Sequence, residues 1–222
     1  MSLLCEKPLS ESPIIHLRSA DFVLNIDVFA GAMISHRIDA ARYSSISIMA
    51  RVHADASLSI FITGDVESDC TIDRSIFITG DAASVELSSS IRTIGNSRCN
   101  ISDDVHLASN NSRCIIDNRV VAYDSSRAVI RERVIVNQMV SDGSISTAIR
   151  GMLVGENTSV RAIPELDIAS NAVRAKHAVS ISRPSKSALA YCATRGIHRD
   201  DAMRIIADGL LCPAGLMTGE KV

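Results

Sequence analysis

The sequence predicts a mainly β protein: a β-helix, or solenoid, with a short two-helix C-terminal cap. Three observations carry that expectation. The heptad Ser59-Ile60-Phe61-Ile62-Thr63-Gly64-Asp65 recurs unchanged at 75–81, 16 residues on. Asn96-Ser97-Arg98-Cys99 then returns as Asn111-Ser112-Arg113-Cys114, 15 residues later, and Asp124-Ser125-Ser126-Arg127 follows at nearly the same offset. Finally, 46% of the chain is hydrophobic, yet aromatics make up only 3% and Trp is absent. A core with so few rings suits stacked ladders of small and branched side chains inside a narrow tube. Self-similarity at a short fixed period marks a solenoid. This unit is too short for a helix pair and is read as one coil holding two short strands and two turns. On that reading Ile60 and Ile76 stack on adjacent coils and face the same way. Polar corners are expected at Asp65, Asp81, Asn96 and Asn111.

The elements follow in order. Residues 1 to about 20 read as irregular, with Pro8 and Pro13 among Ser and Glu. Alternation begins at Phe22: Phe22, Leu24, Ile26 and Val28 share one strand face, and Val23, Asn25 and Asp27 the other. Ile46 and Ile48 alternate with Ser45 and Ser47. Leu58, Ile60 and Ile62 alternate with Ser59, Phe61 and Thr63. Asp55-Ala56-Ser57-Leu58 is echoed by Asp69-Cys70-Thr71-Ile72, as a second face of the same coils. Later strands read 129–136, 145–149 and 160–168. Gly64, Gly80, Gly95, Gly143 and Gly155 are expected at turns, where a positive φ is cheap only without a Cβ.

The period-two pattern stops at Arg183-Pro184, which divides a β-helix core (1–182) from a C-terminal helical segment (183–222). Ser185 is the expected N-cap of a short helix over 188–194, with Gly196 as its stop. A second helix begins after Ile197, with Asp200 and Asp201 in its first turn meeting the positive end. Ala202, Ile206 and Leu210 form its apolar stripe, Met203 and Ile205 flank it, and Gly209 and Pro213 limit it. The two helices are expected to close the end of the solenoid, because an open last coil exposes unpaired strand edges.

Composition narrows the function classes. A net charge of -2 and a pI near 6.3 argue against nucleic-acid binding, which draws on a basic face. No apolar run reaches the ~20 residues of a membrane helix, and the N-terminus lacks a signal-peptide pattern, so a cytoplasmic protein is expected. The six Cys, at 5, 70, 99, 114, 192 and 212, form no C-x-x-C pair and read as reduced thiols.

Three groups of residues bear on chemistry. His177 follows Arg174 and Lys176, so an imidazole able to ligate iron sits in a basic field; a lone edge histidine is otherwise a packing residue. Cys99 and Cys114 are expected to stack in successive coils, either as a buried ladder or as a soft-metal pair, with Arg98 and Arg113 as a neighbouring solvent ladder. Asp65 and Asp81 are read as turn formers, since the Gly-Gly-x-Gly-x-Asp calcium repeat is absent. No Ser-His-Asp or P-loop pattern occurs, so ATP hydrolysis requires a partner. A carbohydrate-acting or acyl-transferring β-helical enzyme is the alternative, though three Tyr, four Phe and no Trp offer little for sugar stacking. A purely structural partner subunit is another.

Residues 155–211 narrow the field. Arg161-Ala162-Ile163-Pro164-Glu165-Leu166-Asp167-Ile168 is followed by Val173-Arg174-Ala175-Lys176-His177-Ala178, then by Ala190-Tyr191-Cys192-Ala193-Thr194-Arg195-Gly196-Ile197 and Asp201-Ala202. This ordered set resembles the C-terminal core of the SufB/SufD family of SUF iron–sulfur cluster assembly scaffolds. Members show a Pro-x-Leu-x-Ile strand, a strand ending in His, and a Phe-Tyr-x-x-x-Arg-Gly-Ile turn between two helices; Ala190 replaces the Phe here. The resemblance implies a short-form, non-catalytic scaffold subunit on a right-handed β-helix. It implies pairing as a homodimer or with a second SufB/SufD-type subunit, and docking of a SufC-type ABC ATPase through Tyr191, Arg195, Gly196, Met203 and Ile206. It further implies a transient iron–sulfur cluster near the dimer interface, with His177 as ligand. Thr158 stands where the SufB type has a sulfur-accepting Cys, and Ala178 where it has a carboxylate; both departures favour a SufD-like role.

Overall fold

The structure is a computed structural model and describes residues 2–5 and 21–212. Of the N-terminal stretch expected to be irregular, Ser2–Cys5 is instead a strand paired with Asn25–Val28; the rest of it and Pro213 lie outside the described residues. The strands are β1 (Ser2–Cys5), β2 (Asp21–Val28), β3 (Met33–Asp39), β4 (Ser45–Val52), β5 (Ser57–Val66), β6 (Cys70–Ile78), β7 (Ser84–Thr93), β8 (Arg98–Leu107), β9 (Arg113–Ala122), β10 (Arg127–Val136), β11 (Gly143–Leu153), β12 (Ser159–Ile168) and β13 (Val173–Ser182). Helices α1 (Lys186–Thr194) and α2 (Arg199–Leu211) follow. From β2 on, successive strands alternate between two parallel sheets, one ordered β1-β2-β4-β6-β8-β10-β12 and the other β13-β11-β9-β7-β5-β3. The chain is therefore a flattened, two-sided β-solenoid, the fold class the repeats predict.

The size of the coil differs from the expectation. Strands such as β8 run 10 residues, so a 15–16-residue unit holds one strand and one corner. A single corner reverses the chain, and only a second brings it back parallel to where it started. The repeat is therefore half a coil. Asn118 and Asp103, 15 residues apart, meet across the interior, while Arg74 and Asp103, 29 apart, stack in adjacent coils. Accordingly Ile60 stacks between His36 and Leu87 in one sheet, and Ile76 between Ala50 and Val105 in the other; they do not stack on each other. The two copies of the heptad also end differently. Gly64-Asp65 continues β5, whereas Gly80-Asp81 turns the corner after β6.

The inward phase of each strand is as the alternation predicts. Phe22, Leu24, Ile26 and Val28 are buried, as are Ile46, Ile48, Leu58, Ile60, Ile62, Ile72, Ile76 and Ile78. Each such side chain stabilises by about 1.5–3 kcal/mol through its removal from water. The corners use short polar residues more than glycine. Asp55, Asn111, Asp124 and Asp142 hold φ between +53° and +57°, as does Ala82. Asx side chains tolerate this left-handed region; Ala82 gains nothing to offset it. Of the five glycines expected at turns, Gly95 takes a left-handed φ of +68° at a corner, while Gly64 and Gly143 lie within strands. Gly80 and Gly155 are required for close stacking instead. A Cβ on Gly80 would lie 1.8 Å from the Ala54 nitrogen, and one on Gly155 2.3 Å from the Asp124 carbonyl oxygen.

Both helices form where the sequence places them, and their position decides what the last coil exposes. Ser185 caps α1 by accepting from the Ala188 amide, and Gly196 at φ +75° stops it. α2 runs through Gly209 to Leu211. It lies on the outer face of the second sheet, with Ala207, Ile206, Leu210 and Leu211 packed on Val121, Tyr123, Met152 and Val154. Arg119 donates to the Leu210 and Cys212 carbonyls at 3.0 and 2.6 Å, satisfying the helix C-terminus. Arg92 bridges Asp65 on β5 and Asp208 on α2. The helices thus flank the solenoid and leave its last coil open. No helix among the described residues is long and apolar enough to cross a membrane.

Candidate functional site

Strands β12 and β13 are the outermost strands of the two sheets at the C-terminal end, each with one edge unpaired among the described strands. Their inward-phase residues continue the core rows with no further coil above them among the described residues. In β12 these are Val160, Ala162, Pro164, Leu166 and Ile168, each in register with an inward residue of β10. In β13 they are Val173, Ala175, His177, Val179 and Ile181, in register with inward residues of β11. Leu166, Val179 and Ile181 consequently remain 37–43% exposed although they point along core rows. His177 is exposed in the middle of this open face, directly above the buried Thr147.

Below His177 the interior is polar. Arg74 is fully buried and forms a two-pronged ion pair with Asp103, Nε to Oδ1 at 2.6 Å and Nη2 to Oδ2 at 2.9 Å. Arg74 also donates to the Asn118 side-chain oxygen at 2.9 Å and the Ser88 carbonyl at 3.3 Å. Asn118 donates to Asp103 at 2.7 Å and to Glu132 at 2.8 Å, and Thr147 is buried beside the Glu132 carboxyl. Burial first, and then the negative Asp103, push the Glu132 carboxyl up to about 8. It is therefore a neutral acid at neutral pH, and the charges of Arg74 and Asp103 cancel. Glu132 Oε2 and the nearby Ser89 Oγ are buried without a hydrogen-bond partner among the described residues. A polar column thus rises through successive coils and ends at His177 on the open face.

Of this column only His177 stood out in the sequence, though the signal for the others was present. Arg74, Asp103, Asn118, Glu132, Thr147 and His177 each occupy the centre of an apolar i, i+2, i+4 set, as in Ile72-x-Arg74-x-Ile76 and Ile130-x-Glu132-x-Val134. A polar residue in the inward phase of a solenoid strand must find its partners inside.

The other expected residues fall elsewhere. Cys99 is in β8 and Cys114 in β9, in opposite sheets, so their expected stack is absent. Cys99 lies in register with Cys70 instead. Arg98 likewise pairs with Arg127, not with Arg113. Thr158 closes the corner before β12 by donating to the Gly155 carbonyl at 2.9 Å. Tyr191 is 62% exposed on α1, with the Arg195 guanidinium 5.3 Å from its ring centre. Met203 faces a cleft of about 550 Å³ between the helices and the end of β11, shared with Leu189, Ile197, Arg183, Lys186 and Arg199. Ile206 is turned toward the solenoid, where it docks α2. His106 stacks on Phe77 at 5.0 Å on the outer face of the first sheet, and His53 on Phe29 at 5.7 Å at the corners that follow β4 and β2. Among the described residues no three His, Cys, Asp or Glu side chains gather as a metal site.

The profile of the SUF system FeS cluster assembly SufBD core domain matches residues 22–210. The chain belongs to the SufBD family. It is 26% identical over 173 residues to an iron–sulfur cluster assembly SufBD family protein of Mycobacterium leprae, a match covering 77% of this chain and 20% of that protein. The chain thus corresponds to about a fifth of the length of this relative. The matched core takes in the solenoid, the open coil and both helices.

Proposed function

We propose that this SufBD chain is a non-catalytic subunit of the SUF iron–sulfur cluster assembly scaffold, working in the cytoplasm. The observation that supports it best is the open last coil. Its apolar rows and unpaired edges call for another β-element in register, as in strand addition, and a second SufB/SufD-type subunit, identical or related, is the proposed occupant. His177 would then lie between two subunits in a basic setting, shielded from water. One imidazole is an incomplete ligand set for iron, so the partner supplies the remaining ligands to a transient cluster, the cargo of the assembly. Thr158 holds a turn where the SufB type carries a sulfur-accepting Cys, which supports a SufD-like part. The exposed Tyr191 and Arg195, with the cleft beside Met203, offer a docking face for a SufC-type ABC ATPase that hydrolyses ATP.

The test is anaerobic co-purification from native lysate with iron, sulfide and ATPase activity assayed in the eluate. His177→Ala is expected to keep fold and pairing but lower iron and sulfide, with His53→Ala as a silent control. Val179→Asp places a charge on the open coil and is expected to abolish pairing in sedimentation without lowering the melting temperature. Removal of 184–222 is expected to release the ATPase. Pairing that survives Val179→Asp, or normal iron and sulfide on His177→Ala, would reject the corresponding part.

A further inference from the structure

Cys70 and Cys99 form an interior thiol pair that the proposed scaffold role does not use. They are in-register neighbours on β6 and β8, both in the inward phase and 2% and 0% exposed. Parallel neighbours lie about 4.8 Å apart, within the Cα spacing a disulfide spans. Their Cβ bonds run side by side, so bond formation needs a small approach of the two strands. The site has that play, because Cys70 is the first residue of β6 and follows the exposed corner 67–69. The two thiols are also unlike. The neighbouring Cys99 side chain draws the Cys70 thiol below its ordinary value. Cys70 in turn, together with burial, pushes the Cys99 thiol well up. Cys114, buried in the opposite sheet, has no such neighbour and is pushed up to about 12 by burial first.

We propose that Cys70 and Cys99 are a reversible oxidation site, Cys70 the attacking thiol and Cys99 the resolving one, which closes a disulfide between adjacent coils in response to a peroxide. Local opening of the 67–69 corner admits the peroxide. The Cys70 thiolate attacks one peroxide oxygen; the O–O bond breaks, and the leaving hydroxide takes a proton and departs as water. Cys70 is then a sulfenic acid. Cys99 loses its proton and attacks the Cys70 sulfur, the S–O bond breaks, and a second water leaves. Two thiols have lost two electrons and the peroxide has gained them. A low-pKa thiol poised beside a resolving thiol is the arrangement that favours this outcome over further oxidation. Reduction by a dithiol restores the pair.

The experiment uses the full chain with Cys5, Cys192 and Cys212 replaced by Ser, treated with hydrogen peroxide and then denatured, alkylated and mapped by mass spectrometry. The expected product is about 2 Da lighter, carries one peptide cross-link between Cys70 and Cys99, leaves Cys114 alkylatable, and reverts with dithiothreitol. Cys99→Ala is expected to give a dimedone adduct at Cys70, and Cys70→Ala to slow oxidation of Cys99 at least about ten-fold. The proposal is overturned if Cys70 and Cys99 both remain fully alkylatable at a peroxide dose that oxidises Cys212 in the unsubstituted chain. It is equally overturned if the cross-link joins two chains or involves Cys114. The unsubstituted chain alone decides these points should an alanine variant not fold. Cluster content plays no part in the readout, so its outcome is separate from that of the scaffold reading.

Discussion

Glu132→Gln tests whether the polar column is held together by a neutral acid. In the folded chain the Glu132 carboxyl titrates at about 8, against 4.5 for the free side chain. Unfolding releases that proton wherever the pH lies between the two values. The unfolded state then binds fewer protons, so stability falls as pH rises. The contribution is fully present below about pH 4.5 and lost progressively up to about 8. Each unit is worth about 1.4 kcal/mol, so the shift amounts to roughly 5 kcal/mol in all, and to roughly 3.5 kcal/mol between pH 5 and 8. Glu132 is 1% exposed, so solvent does little to screen it. Gln has nearly the same shape, keeps an acceptor for the Asn118 amide, and cannot ionise. Urea unfolding of both proteins at pH 5, 6, 7 and 8 provides the assay. The wild type is expected to lose stability relative to Glu132→Gln by about 1.0–1.3 kcal/mol per pH unit across this range, least between pH 7 and 8. The difference between the two curves removes the other titrating groups. Parallel curves, differing by less than about 0.5 kcal/mol across the series, would show that Glu132 is ionised in the fold and refute the neutral-acid account.

Other changes probe the same architecture. Arg74→Met leaves Asp103 buried without its cation and is expected to cost about 3–5 kcal/mol in urea unfolding; a loss under about 1 kcal/mol would mean the pair is not buried as described. Gly80→Ala forces a Cβ to 1.8 Å from the Ala54 nitrogen and is expected to prevent folding or lower the melting temperature strongly. Ala82→Gly, two residues on, relieves a φ of +57° and is expected to stabilise by about 1 kcal/mol, read as a raised urea midpoint. Arg119→Ala removes the donor to the Leu210 and Cys212 carbonyls. It is expected to speed amide hydrogen exchange in α2 while β7 and β9 keep their protection; unchanged α2 exchange would show that Ile206 and Ala207 hold the helix alone.

The sequence by itself determined which way each residue points. Period-two alternation is local chain geometry, so the burial of Phe22, Ile46, Leu58 and Ile76 was legible residue by residue. The caps at Ser185 and Gly196 were legible too, because they satisfy backbone groups within one turn of the helix. The last strands and the helix turn also carried the family resemblance. The coil length was not legible, because a 15-residue recurrence describes equally well one small coil or half of a larger one. That ambiguity misplaced every stacking partner: Ile76 for Ile60, Cys114 for Cys99, Arg113 for Arg98. Only the tertiary structure decided who neighbours whom, since pairing depends on how two successive corners return the chain, a relation spanning about 29 residues. It likewise decided that α2 flanks the solenoid, because Arg92 and Arg119 reach its C-terminal end from strands about 90 residues or more away in sequence. His177 gained its meaning in the same way. In the sequence it is one imidazole beside a lysine. In the fold it is the exposed end of a column that begins at the buried charge of Arg74, because strands far apart in the chain are stacked in register.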